Sequence, residues 1–367
     1  MTSLPLISVS GVENHLLAGL PIIDVRAPVE FADGSLPGSV NLPIMNNEER
    51  ALVGTCYKQK GQEAAIKLGH SLVGGEVKAS RVRAWSEYLR ENPQSLLACF
   101  RGGLRSKIAQ QWLAEAGLEV VRIEGGYKKI RQHLVESTIK FSSDRHPLLV
   151  ISGATGSGKT LLLRSLASHR PVCDLEKWAH HRGSAFGGYP SGQPPQINFE
   201  NQLALDLIRA QNSNIERPLL IEDESRLIGR NVQPPTLFEH LRASPVVLIE
   251  ESLESRVQVT FEDYILQSPI ARGSVSDGIE TFAAYKKSLE KITKKLGGLR
   301  AQEVMSDIKS AEQAFVEKKD LEPSKVWIQK LLAWYYDPMY LGSLESRSPQ
   351  ILFRGTREQC REFLLKS

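Results

Sequence analysis

Leu148-Leu-Val-Ile-Ser-Gly153-Ala-Thr-Gly-Ser-Gly-Lys-Thr160 begins as an apolar run, turns through three glycines and ends on a lysine and a threonine. Residues 153–160 meet every fixed position of GxxxxGK[ST]. They stand between a strand-like run and the helical pattern of residues 161–167, the order a P-loop requires. The glycines let successive amides face one phosphate, and the following helix N-terminus adds partial positive charge there. Gly153, Gly156, Ser157, Gly158, Lys159 and Thr160 are therefore expected to bind phosphate, with Lys159 on terminal oxygens and Thr160 on a magnesium ion. Apolar runs at residues 219–221 and Val246–Ile249 predict further strands, hence an open α/β sheet of P-loop NTPase type.

Downstream, Leu219-Leu-Ile-Glu-Asp-Glu-Ser225 places acids at the end of a buried strand, as in a Walker B element. Asp223 is the first choice for a second magnesium ligand and Glu222 the second; acids that merely solvate a strand end are the alternative. Asp174, Glu176, His181 and Arg182 follow the P-loop helix and are secondary candidates for facing ligand phosphates or an acceptor. Adjacent His180 and His181 point to different helix sides, so they do not form a helical metal pair.

Before the P-loop, residues 21–26, 95–98 and 120–123 read as short buried strands, and residues 105–116 as a helix stopped by Gly117. This alternation predicts a parallel-sheet α/β domain. Cys99-Phe-Arg-Gly-Gly-Leu-Arg-Ser106 follows one of these strands. Amides of residues 100–105 can converge on the sulfur, and Arg101, Gly102, Gly103 and Arg105 complete a cradle that favours a thiolate or persulfide. A structural cysteine would more naturally sit among apolar neighbours.

A polar stretch ending in proline, residues 142–147, suits a linker. The expected domains are residues 10–138, a P-loop α/β domain at 147–252, and a mainly helical region at 253–367 packed on it. With 367 residues, 41% hydrophobic and 24% charged, the chain can bury two cores, and no apolar run is long enough to span a bilayer. The opening residues lack the basic and apolar segments of a secretory signal, so a cytoplasmic location without membrane association is expected. Cys56, Cys99, Cys173 and Cys360 show neither zinc-ligand spacing nor a disulfide framework. The net charge of +4 permits RNA binding without requiring it. Lys287, Lys291, Lys294 and Lys295 cluster on one side of a helix that reads either as a solvated face or as an RNA-backbone contact.

The Cys99 loop resembles the active-site loop of rhodanese sulfurtransferases. Asp24-Val-Arg26, Glu30-Phe31, Gly34 and Pro37-Gly-Ser-Val-Asn-Leu-Pro43 are similar to that fold's other recurring elements, over roughly residues 10–133. Rhodanese-related phosphatases share the Cys99-to-Arg105 spacing, but Ala98 stands where they usually carry histidine, which favours sulfur or selenium transfer. A rhodanese-like domain fused to a P-loop domain resembles the tRNA 2-selenouridine synthase family. So do Gly54-Thr-Cys-Tyr-Lys-Gln59, Gly61-Gln-Glu-Ala-Ala65, Gly125-Gly-Tyr127, His181-Arg-Gly-Ser184, Glu222-Asp-Glu-Ser-Arg226 and Tyr336-Asp-Pro-Met-Tyr340.

The resemblance implies conversion of wobble 2-thiouridine in tRNA to 2-selenouridine, with selenophosphate and geranyl diphosphate as substrates and an S-geranyl intermediate. It implies magnesium, no tightly bound organic cofactor, tRNA as partner, and an enzyme that produces selenophosphate as a further partner. Lys159 and Thr160 would hold the diphosphate, while Cys99 carries or guides selenium, with a selanylsulfide as one form. Arg101, Arg105, Lys128, Lys129 and Arg131 are placed to meet selenophosphate or RNA phosphates, or simply to be solvated. Cys56 is a candidate second thiol, and Tyr336 and Tyr340 either stack on an exposed base or pack the C-terminal segment. Two other readings stay open: a P-loop kinase or NTPase regulated by a rhodanese-like domain, and a tRNA-binding sulfurtransferase.

Overall fold

In the computed structural model, which describes residues 4–213 and 217–366, the apolar runs become two separate five-stranded sheets, each wholly parallel. The chain divides into two compact units, Met1–Lys140 with Pro195–Arg209, and Phe141–Pro194 with Ala210–Ser367.

The first unit holds β1 (Leu6–Ile7), β2 (Ile22–Asp24), β3 (Ser39–Asn41), β4 (Leu96–Ala98) and β5 (Val121–Ile123), in the order β1-β5-β4-β2-β3. Strand alternation sends Ile22 and Leu96 to one face, against Val12, Leu16 and Leu134. Ile23 and Leu97 face the other way, against Trp85, Ala109 and Leu113. Both faces are covered, as a parallel sheet requires. The strands at residues 6–7 and 39–41 were not expected: two or three residues are too few to show a period.

Pro195–Arg209 falls inside the range expected for the P-loop domain, yet it belongs to the first unit. Ala204, Leu205 and Ile208, from the helix Gln196–Asn212, join the Val12, Leu16 and Leu134 cluster. Polar contacts fix the same segment: the Ser35 amide donates to Asn198 Oδ1 at 2.7 Å, and Asn201 Nδ2 donates to the Ser35 carbonyl at 2.8 Å. The linker is also shorter than expected, because the helix Gly126–Ser143 runs through Ser142, which is buried.

In the second unit β6 (Leu148–Gly153), β7 (Val172–Cys173), β8 (Leu219–Glu222), β11 (Val246–Ile249) and β12 (Ile351–Gly355) form a sheet ordered β12-β11-β6-β8-β7. Between β8 and β11, β9 (Leu227–Ile228) and β10 (Asn231–Val232) make a small antiparallel pair. Every residue of β6, β8 and β11 is buried, which explains the Leu/Ile/Val runs that precede Ser152-Gly153 in β6 and Glu222 in β8 and fill β11. Residues 253–347 are helical around Phe261, Phe282, Leu289, Ile308, Phe315 and Trp327. The expected helical region does not remain helical to its end. β12 returns to pair with β11, and Cys360 and Leu364 of the helix Arg357–Lys366 enter the core of the P-loop sheet. Lys287, Lys291, Lys294 and Lys295 are all exposed on the helix Val275–Leu296. Among the described residues no helix is long and apolar enough to cross a membrane.

Candidate active sites

Cys99 leaves the end of β4 and is buried, with its sulfur 3.1 Å from Ser106 Oγ. The loop is shaped by backbone contacts. Gly102 and Gly126 both have positive φ, and a Cβ on Gly126 would lie 2.2 Å from the Cys99 carbonyl oxygen, so only glycine allows this approach. The Tyr127 and Lys128 amides donate to the Cys99 and Phe100 carbonyls, both at 2.9 Å, and an Arg122 guanidinium N–H donates to the Gly102 carbonyl. Gly103 caps the helix Leu104–Glu115, whose N-terminus adjoins the cysteine.

The cradle differs from the expectation at Arg105. Its guanidinium does not stand free for an anion but forks onto Glu30, at 2.5 and 3.1 Å. Burial alone would raise the Glu30 pKa, but the Arg105 hydrogen bond and charge outweigh it and leave it below the usual carboxylate value. Arg101 is exposed beside the Phe100 ring. Asp24 lies elsewhere in the architecture: with Arg26 it forms a buried pair at 2.7 Å, and Arg26 stacks 3.9 Å from the Tyr127 ring centre and donates to the Glu30 and Gly34 carbonyls. Asp24 thus anchors the segment carrying Glu30. A cleft of about 760 Å³ opens over Cys99, lined by Glu30, Arg50, Tyr57, Lys58, Arg101 and Arg105 among others. Cys56 is not among its lining residues.

In the second unit the P-loop lies at the C-terminal end of β6, the end where open α/β sheets bind ligands. Gly153, Gly156 and Gly158 all have positive φ. A Cβ at Gly156 would meet the Arg256 carbonyl at 2.7 Å, and one at Gly158 would meet Arg357 Nη1 at 2.5 Å. Ser157 is buried with its hydroxyl unpartnered, and Lys159 Nζ donates to the Gly153 carbonyl at 3.0 Å.

Thr160 Oγ1 donates to Glu176 Oε2 at 2.9 Å, not to Asp223. Asp223, the first choice from sequence, has both oxygens on Arg347 at 2.6 and 2.8 Å and also accepts from the Ser152 hydroxyl. Glu222 is fully buried. Its Oε2 accepts from the Glu176 amide at 3.2 Å, and its Oε1 has no partner. Burial first, then the neighbouring carboxylates, pushes Glu176 and Glu222 up to about 8. Burial raises Glu224 to about 7 against the pull of Lys159. Asp174 is a cap, accepting from the Lys177 amide at 2.7 Å and from Arg164 Nε at 2.6 Å. His181 is held below its usual pKa by burial and by Arg182, and its buried Nδ1 has no partner. Arg182 pairs with Asp263 at 3.0 Å between the rings of Tyr189 and Tyr264.

A pocket of about 470 Å³ opens beside the loop. Gly153, Gly156, Lys159, Thr160, Glu176 and Glu224 are among its polar lining, and Leu161, Val259, Tyr264, Tyr335, Tyr336 and Met339 supply an apolar, aromatic wall. Tyr340 also lines it and lies 3.2 Å from the Ser152 hydroxyl. The wall draws on two π-helical turns, Glu262–Leu266 and Leu332–Tyr336, a rare geometry often found at functional sites. Arg347 and Tyr264 were not among the residues expected at these sites, and Glu30 and Glu224 stood only within quoted motifs, with no role of their own. The partners of Glu30, Tyr264 and Arg347 lie 75, 80 and 124 residues away, so no local spacing marks those contacts.

Two known families match consecutive stretches of the chain. Residues 9–133 match the Rhodanese-like domain, and residues 146–367 match the tRNA 2-selenouridine synthase AAA domain. The chain is 46% identical to a tRNA 2-selenouridine synthase of Nitrosomonas europaea, with 98% of each chain covered. It is 49% identical to one of Bdellovibrio bacteriovorus, with 96% of each covered.

Proposed function

The chain belongs to the tRNA 2-selenouridine synthase family, and on that premise we propose that it converts wobble 2-thiouridine of tRNA to 2-selenouridine, using selenophosphate, through an S-geranyl intermediate made from geranyl diphosphate. The observation that carries the prenyl step is the lining of the P-loop pocket, which brings a diphosphate cradle together with apolar and aromatic side chains. Such a lining suits an isoprenoid chain.

In the first step the thiouridine sulfur attacks C1 of geranyl diphosphate. The S–C bond forms, the C–O bond breaks, its electron pair leaves on the diphosphate, which the loop amides and Lys159 stabilise, and N3 of the base gives up its proton to solvent. Magnesium fits here, since the Thr160 hydroxyl, Glu176 and the unpartnered Glu222 Oε1 are hard oxygen donors beside the loop. Held by them, it would neutralise diphosphate charge. In the second step selenium of selenophosphate, guided by Cys99 and Arg101, attacks C2 of the modified base. The C2–Se bond forms and the C2–S bond breaks. Its pair leaves on geranyl thiolate, which takes up a proton, and water then cleaves the P–Se bond to give phosphate and selenouridine. Alkylation makes the sulfur a better leaving group, so the order is chemically sensible. A selenophosphate-producing enzyme would supply the donor.

The test is mass spectrometry of nucleosides from 2-thiouridine tRNA incubated with the protein, magnesium, geranyl diphosphate and selenophosphate. Cys99→Ser is expected to accumulate geranylated uridine, and Lys159→Ala to block geranylation while still selenating tRNA geranylated beforehand. Unchanged thiouridine with wild-type protein and verified donors overturns the assignment.

A further inference from the structure

The helix Asn47–Leu72 is unusual for its length: only Ala65 of its 26 residues is buried. It is broken at Gly61, whose φ of 80° lies outside the helical region. Beneath it lies a cavity of about 300 Å³ whose walls are Val53, Ile66 and Val73 on one side and Ile108 and Trp112 on the other. Small-molecule pockets begin at roughly this size. The helix therefore roofs a space that core side chains leave unfilled.

That space borders the cleft over Cys99. Met45, Val53, Tyr57, Leu104 and Arg105 line both. Two of these shared residues leave large apolar surfaces in solvent, Tyr57 at 58% and Leu104 at 45% exposed. Exposed apolar groups at the mouth of an apolar cavity, one residue from the arginine of the cysteine loop, describe an entrance for a chain whose polar end stays at Cys99.

We propose that this cavity receives the prenyl chain of the S-geranyl base, so that the leaving sulfur is anchored while selenium attacks from the Cys99 side. The assignment rests on the two-step reading above and adds a second prenyl site, in the first unit, distinct from the diphosphate pocket. Arg105, at the junction, stays beside the reacting groups because Glu30 holds it. The site discriminates a prenylated base from one bearing a short alkyl group through the apolar surface that the longer chain buries.

The test uses full-length protein, selenophosphate and an anticodon stem-loop RNA carrying S-geranyl- or S-methyl-2-thiouridine. Wild type should show a lower KM for the S-geranyl RNA. Ile66→Trp, which fills the cavity, should raise that KM about tenfold, the equivalent of roughly two methylenes left unburied. The KM for S-methyl RNA and the geranylation of 2-thiouridine RNA should not change, which also shows that the variant is folded. Ile108→Phe fills the space from the opposite wall, away from the Cys99 cleft, and should act alike. A second readout places a diazirine at the end of the prenyl chain. Crosslinks in residues 53–73 or 104–112, lost in Ile66→Trp, support the site. No crosslinks there, or an unchanged S-geranyl KM in both variants, overturns it. If wild type fails to selenate S-geranyl RNA while the crosslinks fall in the cavity, the two-step reading fails and the site stands. Conversion with crosslinks elsewhere has the opposite meaning.

Discussion

At the scale of single residues, the two sites respond to pH in opposite senses. Glu176 and Glu222 sit at about 8, above the ordinary carboxylate value of 4.5. A raised folded pKa contributes stability that is complete below the unfolded value and is lost as pH rises through the folded one. In magnesium-free buffer the second unit should therefore melt lower at pH 8.5 than at pH 5. Glu222→Gln should leave the pH 5 midpoint unchanged and raise the pH 8.5 midpoint by a few degrees, at about 2–4 °C per kcal/mol relieved. Differential scanning calorimetry at the two pH values decides it, and a rise at pH 5 as well would contradict the charge explanation. Glu30 behaves in reverse. Its pKa is lowered, so its pairing with Arg105 stabilises above about pH 4.5 and is lost as pH falls below that. Glu30→Gln should flatten the loss of stability between pH 5 and 3, and it should slow selenation because Arg105 loses its fixed position. Normal selenation in that variant would show that Arg105 needs no partner.

At the scale of elements, the phosphate loop was readable because strand, turn and helix are contiguous, and every fixed position of its motif carries local geometry. The cysteine loop was readable for the same reason. The role of its closest partner was not, although Gly125-Gly-Tyr127 was quoted as a motif: Gly126 supports the loop from the next crossover, where its missing Cβ lets the Cys99 carbonyl approach. Gly126→Ala should destabilise the first unit by about 2 kcal/mol or more, since both the positive φ and the close contact oppose a side chain. Urea denaturation followed by Trp85 and Trp112 fluorescence measures this, and a change within error would mean that the loop relaxes freely. The Walker-B-like acids show the limit of local reading. The run at residues 222–224 is legible as an acidic strand end, but Arg347, which takes Asp223, arrives from 124 residues away. Nor do the π-helical turns that aim Tyr264 and Tyr336 at the pocket have any signature in the residue pattern.

At the scale of the whole molecule, the order of domains along the chain was legible and the composition of the first unit was not. The apolar face of residues 204–208 reads as ordinary helix amphipathicity, and nothing in its period says which core it serves. The structure assigns it to Val12, Leu16 and Leu134, with Arg131 donating to Asn201 at 2.9 Å and pairing with Glu200. A fragment ending at residue 140 would uncover Val12, Leu16 and Leu134, even though it retains all five strands and Cys99. Such a fragment should bind a hydrophobic dye and melt at a lower temperature than the first transition of the full chain. A peptide covering residues 194–212 should suppress the dye signal and raise the midpoint, whereas the same peptide with Leu205→Asp and Ile208→Asp should do neither, because each change buries a charge without a partner. If the fragment alone is as stable as the first unit in the full chain, the returning helix covers the core without holding it together. The selenation site could then be studied apart from the P-loop unit.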